Sequence, residues 1–105
     1  MRIATWNINS VRLRLPQVLR VIKEKRIDIL CLQETKTEDK FFPSESFEKI
    51  GMKYQYHRVE KSYNGVAILS NFKLEDENFI NWCGKKDTRH ISVKLNKNIE
   101  LHNFY

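Results

Sequence analysis

Asp28-Ile29-Leu30-Cys31-Leu32-Gln33-Glu34-Thr35-Lys36 holds a short, wholly apolar run with polar residues at either end. Such a run reads as a strand buried on both faces, since a half-buried strand would alternate. Upstream, Leu15, Val18, Leu19 and Ile22 recur at helical spacing, and Pro16 suits the first turn of a helix. Arg20, Lys23, Glu24 and Lys25 fall mostly on the opposite face. Before that, residues 2–8 are rich in strand formers, and Asn7-Ile8-Asn9-Ser10 ends the run. Strand, helix and buried strand make a βαβ unit.

Downstream, residues 36–46 read as a polar loop interrupted by Phe41-Phe42-Pro43. Ser44 or Ser46 is placed to cap a short helix through Phe47 and Ile50, with Gly51 as its C′ residue. Residues 54–59 and 65–70 read as two strands joined by the polar turn Glu60-Lys61-Ser62-Tyr63-Asn64, and residues 74–78 as an acidic loop. A last hairpin follows. Ile91, Val93 and Leu95 alternate, Asn96-Lys97-Asn98 turns, and Ile99, Leu101, Asn103 and Tyr105 alternate again. The strand pattern is still running at Tyr105, as in a piece of a larger sheet.

The 105 residues suffice for one domain or less. With 41% apolar and 30% charged residues, the composition is that of a globular protein and too apolar for a disordered one. Nineteen Lys and Arg against thirteen Asp and Glu give a net charge of +6, which suits a polyanionic partner. A chain rich in Lys, Asn and Ile through coding bias would carry the same charge. No apolar run is long enough to cross a membrane, and the N-terminus lacks the apolar core of a signal peptide. Cys31 and Cys83 read as reduced thiols, Cys31 among apolar neighbours. His57, His90 and His102 share no zinc-type spacing with them.

Parallel strands of a βαβ unit end at one edge of the sheet, where ligands of open α/β sheets bind. Asn7 and Glu34 therefore converge there from distant positions. A carboxylate beside a carboxamide oxygen is a hard ligand set, suited to Mg²⁺ or Mn²⁺ rather than zinc. On spacing alone, a solvated loop glutamate and a turn-forming asparagine account for the same two residues.

Trp6-Asn7-Ile8-Asn9-Ser10-Val11-Arg12 resembles the opening motif of the endonuclease/exonuclease/phosphatase superfamily. Leu32-Gln33-Glu34-Thr35-Lys36 resembles its LQE motif as written in exonuclease III-type apurinic/apyrimidinic (AP) endonucleases. Asp39-Lys40-Phe41-Phe42-Pro43 is similar to a stretch of the bacterial members. Tyr63-Asn64-Gly65-Val66-Ala67-Ile68-Leu69-Ser70 resembles the Gly-Val-Ala strand, and Asn103-Phe104-Tyr105 the start of an Asn-x-Tyr-x-Pro motif. The motifs stand in the family's order along the whole chain.

The resemblance implies an α/β (α+β) fold: the N-terminal half of a four-layered α/β sandwich of the DNase I-like type, opening with the βαβ unit. Residues 1–105 would then be an incomplete domain, lacking the later Gly-Asp-x-Asn and Ser-Asp-His motifs. Glu34 would be a ligand of a catalytic Mg²⁺ (or Mn²⁺), and Asn7 a ligand or near neighbour. Asn9, aspartate in some relatives, would hydrogen-bond within the metal site, Lys36 would stand beside Glu34 either behind the ligands or facing the phosphate, and Trp6 would pack beside the site. Tyr105 would be the tyrosine that hydrogen-bonds the scissile phosphate, and Arg12, Tyr63, Asn64 and Arg89 would face DNA. The implied activity is hydrolysis of double-stranded DNA at abasic sites and 3′ ends by a monomeric enzyme of the bacterial cytoplasm. Two other readings are an inactive remnant that binds DNA weakly and a phosphodiesterase for a non-DNA substrate. The LQETK form and Tyr63-Asn64-Gly65 favour DNA over the latter. With the second half missing, Ile29, Leu30, Leu32, Val66, Ile68, Ile91, Val93 and Leu101 are expected to lack a covering sheet. The chain alone should then be inert and poorly folded.

Overall fold

A computed structural model describes residues 1–60, 63–81, 88–96 and 98–105, with backbone only for residues 60 and 63. Strand β1 (Ile3–Asn7), helix α1 (Leu15–Glu24) and strand β2 (Ile29–Gln33) form the expected βαβ unit. Pro16 sits in the first turn of α1, where its missing N–H costs nothing. Val18 and Ile22 are buried, and Leu15 and Leu19 pack beside them. β1 and β2 are parallel, with Ile3 opposite Ile29 and Asn7 opposite Gln33. All five residues of β2 are buried, as its apolar run required.

The residues after β2 form a single 3₁₀ turn (Asp39–Phe41) and then helix α2 (Ser44–Lys49). Pro43 occupies the N-cap and no side chain caps the helix, so neither Ser44 nor Ser46 plays that part. The proline ring fixes the entry instead, and Ser44 is already helical. Gly51 follows the C-cap at φ +97°, the left-handed C′ conformation expected of it. Strands β3 (Tyr54–Glu60) and β4 (Tyr63–Ser70) form an antiparallel hairpin, and β4 also pairs with β2. Tyr63 and Asn64 thus belong to β4 rather than to a five-residue turn; Lys61 and Ser62 lie outside the described residues. The sheet order is β1-β2-β4-β3.

A second, antiparallel sheet has the order β5-β6-β7, formed by Glu75–Asn78, His90–Asn96 and Ile99–Phe104. The acidic stretch expected to be a loop is therefore strand β5. Its residues are all exposed on an edge, where charge discourages pairing with other chains, and so it lacks the apolar alternation that marks a strand. Cys83 lies outside the described residues.

Alternate residues of β2 and β4 face opposite ways. Leu30, Leu32, Ala67 and Leu69 pack on Val18 and Ile22 of α1 and Phe47 of α2. Ile29, Cys31, Val66 and Ile68 pack on Leu74, Ile91 and Val93 from the second sheet's side. The described residues thus build three layers: helices, four-stranded sheet, three-stranded sheet. This corrects the expectation of an uncovered interior. Seven of the eight strand side chains named for it are 0% exposed, and Leu101 is half-buried. They do not share one face, and the chain covers both faces itself.

Candidate active site

The parallel pairing of β1 and β2 places the loops that leave them side by side. Ile8 N–H donates to Gln33 O (2.9 Å), Ser10 N–H to Glu34 O (2.8 Å) and Val11 N–H to Thr35 O (3.0 Å). On the other flank, Thr35 N–H donates to Gly65 O (3.2 Å) and Lys36 N–H to Asn64 O (2.9 Å). Three chain segments are thereby tied together through their backbones. The turns needed are tight: Asn9, Ser10, Glu34, Lys36 and Asn64 all have φ between +45° and +88°. Left-handed backbone is unfavourable for residues with a Cβ, and clusters of it are typical of functional sites.

Glu34 is the focus. Its side chain is 16% exposed, and Oε1 accepts a hydrogen bond from the Tyr105 hydroxyl. Lys36 Nζ lies 3.7 Å from Oε2 and donates to Asn9 Oδ1 at 2.7 Å. Asn7 also hydrogen-bonds the carboxylate through its side chain. The Tyr105 phenol, then Asn7 and the Lys36 charge, hold the Glu34 carboxyl below its ordinary pKa, against an opposing effect of burial. Asn7, Asn9, Glu34, Lys36 and Tyr105 are thus brought together. Trp6 is half-buried on the helix side of β1.

The residues expected on a DNA-facing surface are placed less uniformly. Arg12 is exposed, its guanidinium 5.4 Å from the centre of the Phe41 ring. Arg89 is exposed and lies over the Tyr105 ring at 4.8 Å, and its carbonyl accepts the Tyr105 N–H at 2.8 Å. Asn64 is 5% exposed, so it is a buried strand residue rather than the tip of a turn. Its left-handed backbone (φ +60°) presents the carbonyl to Lys36. The side chain of Tyr63 lies outside the described residues.

Gln33, Asn103 and Thr5 gain a role only from the structure. Gln33 Nε2 donates to Thr5 Oγ1 (2.8 Å) and to Asn103 Oδ1 (2.7 Å), directly beneath the site. A signal for them does exist in the sequence: Gln33 ends a buried strand, and Asn103 is a polar residue on the alternating positions of Leu101.

The fold that carries these residues has counterparts among known proteins. Residues 4–104 match the Endonuclease/Exonuclease/phosphatase family. The chain belongs to that family. Among its relatives is exodeoxyribonuclease III of Haemophilus influenzae, 36% identical over 70 residues, or 67% of this chain and 26% of that protein. An AP endonuclease from Archaeoglobus fulgidus superposes with a TM-score of 0.89 at 41% identity, over 100% of this chain and 41% of its own. The 3′ phosphatase NExo from Neisseria, whose structure holds a product DNA hairpin, gives 0.86 at 33% identity and also covers the whole chain. The match to these family structures bears out the DNase I-like reading. The chain spans about two fifths of each structural relative and about a quarter of the curated one.

Proposed function

We propose that the protein provides part of a metal-dependent site that hydrolyses DNA phosphodiesters at abasic sites, and at 3′ ends, in a bacterial cytoplasm. The observation that supports this best is the convergence of Glu34, Asn7 and Tyr105, from three separate strands, at one sheet edge. The family membership and the names of its relatives support the same reaction class.

The donor chemistry fits a hard divalent cation. Glu34 and Asn7 offer carboxylate and carboxamide oxygens, and the depressed Glu34 pKa keeps the carboxylate ionised at neutral pH. Among the described residues no three His, Cys, Asp or Glu side chains converge, so these two supply part of a coordination shell. Bound Mg²⁺ or Mn²⁺ would neutralise charge on the phosphate. Lys36 and Asn9 would hold the Glu34 loop in its left-handed turn, and the Lys36 ammonium would add positive potential. Tyr105 has one hydroxyl proton. It serves Glu34 in the free protein and would turn to a phosphate oxygen when DNA is bound. Arg12 and Arg89 would neutralise backbone phosphates, with Tyr63 contributing nearer the groove, while the buried Asn64 would hold the Lys36 backbone through its carbonyl. An abasic nucleotide has no base to unstack, which makes its entry into a site cheap.

The experiment is Mg²⁺-dependent nicking of a duplex carrying one abasic site by a version extended to the length of its family relatives, with chelator and Glu34→Ala as controls and the 105-residue chain, expected to be inert, assayed beside it. Nicking that needs both the metal and Glu34 is the expected result. Binding without nicking, or nicking indifferent to Glu34→Ala, would overturn the hydrolytic reading.

A further inference from the structure

Asn103 belongs to β7 in the second sheet, yet its side chain is spent on the first. Nδ2 donates both protons, to Leu32 O at 2.9 Å and to Ala67 O at 2.8 Å. Leu32 and Ala67 are themselves a cross-strand pair of β2 and β4. Oδ1 accepts from Gln33 Nε2 at 2.7 Å, and the same Gln33 nitrogen donates to Thr5 Oγ1 on β1 at 2.8 Å. Asn103 is 2% exposed and Gln33 8% exposed. One buried carboxamide therefore bonds the second sheet to two strands of the first and reaches a third through Gln33.

The two ends of this clamp lie next to the two ends of the site's central contact. Gln33 immediately precedes Glu34, and Asn103 is two residues before Tyr105. We propose that Asn103, locked by Gln33, is a positioning residue that fixes the Tyr105 hydroxyl against Glu34. The inference rests on the proposed hydrolysis only for its catalytic consequence. Apolar contact between the sheets, through Ile29, Ile68, Ile91 and Val93, is non-directional and does not by itself set where the end of β7 falls. Hydrogen bonds with defined angles do. The requirement is also specific. Two carbonyls need two donors and Gln33 needs an acceptor, which one planar carboxamide supplies and a carboxylate or an aliphatic group does not. Glutamine carries the same groups on one methylene too many for a close-packed site.

The test separates positioning from general stability. With ¹³Cζ-labelled tyrosine, the protein shows four such carbons, and Tyr105→Phe identifies the Tyr105 resonance. Glu34→Ala gives that resonance for a phenol that has lost its acceptor. Asn103→Ala should move it at least half of the way there and, in a version extended to family length, lower kcat on the abasic duplex about 10- to 100-fold, with KM changed less than about threefold. Gln33→Leu should do the same in smaller measure. Leu101→Ala, which loosens β7 by removing apolar contact alone, should leave the resonance in place. If Asn103→Ala does not fold, the comparison of Gln33→Leu with Leu101→Ala decides. A Tyr105 resonance unmoved by either clamp variant, or moved equally by Leu101→Ala, overturns the proposal. Absence of nuclease turnover in the otherwise unaltered family-length version would instead sink the functional reading, since the resonance is measured without turnover.

Discussion

The Tyr105 hydroxyl donates to Glu34 Oε1, joining residues 71 positions apart and on different sheets. Glu34 leaves β2 in a left-handed turn, and Tyr105 directly follows β7. The contact therefore exists only when the two sheets are packed in register. It makes Glu34 the point where the fold and the proposed chemistry meet.

Removing the carboxylate should be the most damaging single change to activity. In a version extended to family length, Glu34→Ala is expected to cut Mg²⁺-dependent cleavage of an abasic duplex by orders of magnitude, because a hard cation loses its charged ligand. Asn7→Ala should cost less, since a neutral oxygen binds such a cation more weakly. Single-turnover rates over a Mg²⁺ titration check both. Equal rates for wild type and Glu34→Ala would place the metal elsewhere.

In the same extended version, Tyr105→Phe should lower turnover more than it weakens DNA binding, because one hydrogen bond disappears while the ring keeps its contact with Arg89. Binding measured by fluorescence anisotropy and kcat measured on the same duplex separate the two. A loss confined to binding would make Tyr105 a DNA-positioning residue instead.

The same hydrogen bond carries a pH signature. The folded-state pKa of Glu34 lies below its unfolded value, chiefly through the Tyr105 phenol. Its contribution to stability is therefore complete above the ordinary carboxylate range and is lost as pH falls through the lowered value. Tyr105→Phe should raise the Glu34 pKa, as should Lys36→Ala to a smaller degree. Carboxyl ¹³C resonances followed from neutral to acid pH give the value for each variant. A Glu34 titration unaltered by Tyr105→Phe would rule out the phenol as its main cause.

What could be read from sequence followed from local pattern. The apolar run at Ile29 and the helical spacing of Leu15 to Ile22 are imposed by each element's own burial, and the alternation from Ile91 onwards is a local strand pattern, so the βαβ unit and the last hairpin were legible. Strand β5 was not, because an exposed charged edge has no apolar side to betray it. Asn7 and Glu34 could be brought together by topology alone. Tyr105 could not: nothing local says that the end of β7, in the second sheet, meets the end of β2 in the first, and only the family motif raised it. The self-covered interior was missed for a related reason. Which strand packs on which face of β2 and β4 is a long-range fact, and Leu30 and Ile68 look alike in sequence.

Of the two glycines among the described residues, Gly65 is expected to be the less replaceable. It has φ +92°, and a Cβ there would stand 2.1 Å from Thr35 Oγ1 and 3.3 Å from Lys36 N. Thr35 is 1% exposed and is tied to Gly65 through its own N–H, so it cannot retreat without dragging the Glu34 loop. Gly65→Ala should cost about 3 kcal/mol or more, from left-handed strain plus the clash. Gly51 has a similar φ, +97°, with nothing within 4 Å of the added Cβ. Gly51→Ala should cost only the strain, about 1–2 kcal/mol. Urea unfolding midpoints of the two variants give the comparison. Equal losses would mean that the close approach at Thr35 is relieved at no cost.

The two apolar clusters should unfold together. They lie on opposite faces of the same two central strands, with Leu30 and Leu69 turned to the helices and Ile29 and Ile68 to the second sheet. Loss of either cluster strips one face of β2 and β4, and the backbone pairing between those strands is common to both. Ile91→Ala on the sheet side and Leu30→Ala on the helix side should each cost about 2–5 kcal/mol, since both side chains are fully buried. The informative part is where the loss is seen. Ile91→Ala should lower the melting temperature of the helical circular dichroism signal as much as that of the tyrosine absorbance. The calorimetric and van't Hoff enthalpies should also agree. A helix signal that melts unchanged in Ile91→Ala, with a second transition at lower temperature, would mean that the three-stranded sheet is a separate unit and that Tyr105 reaches Glu34 only part of the time.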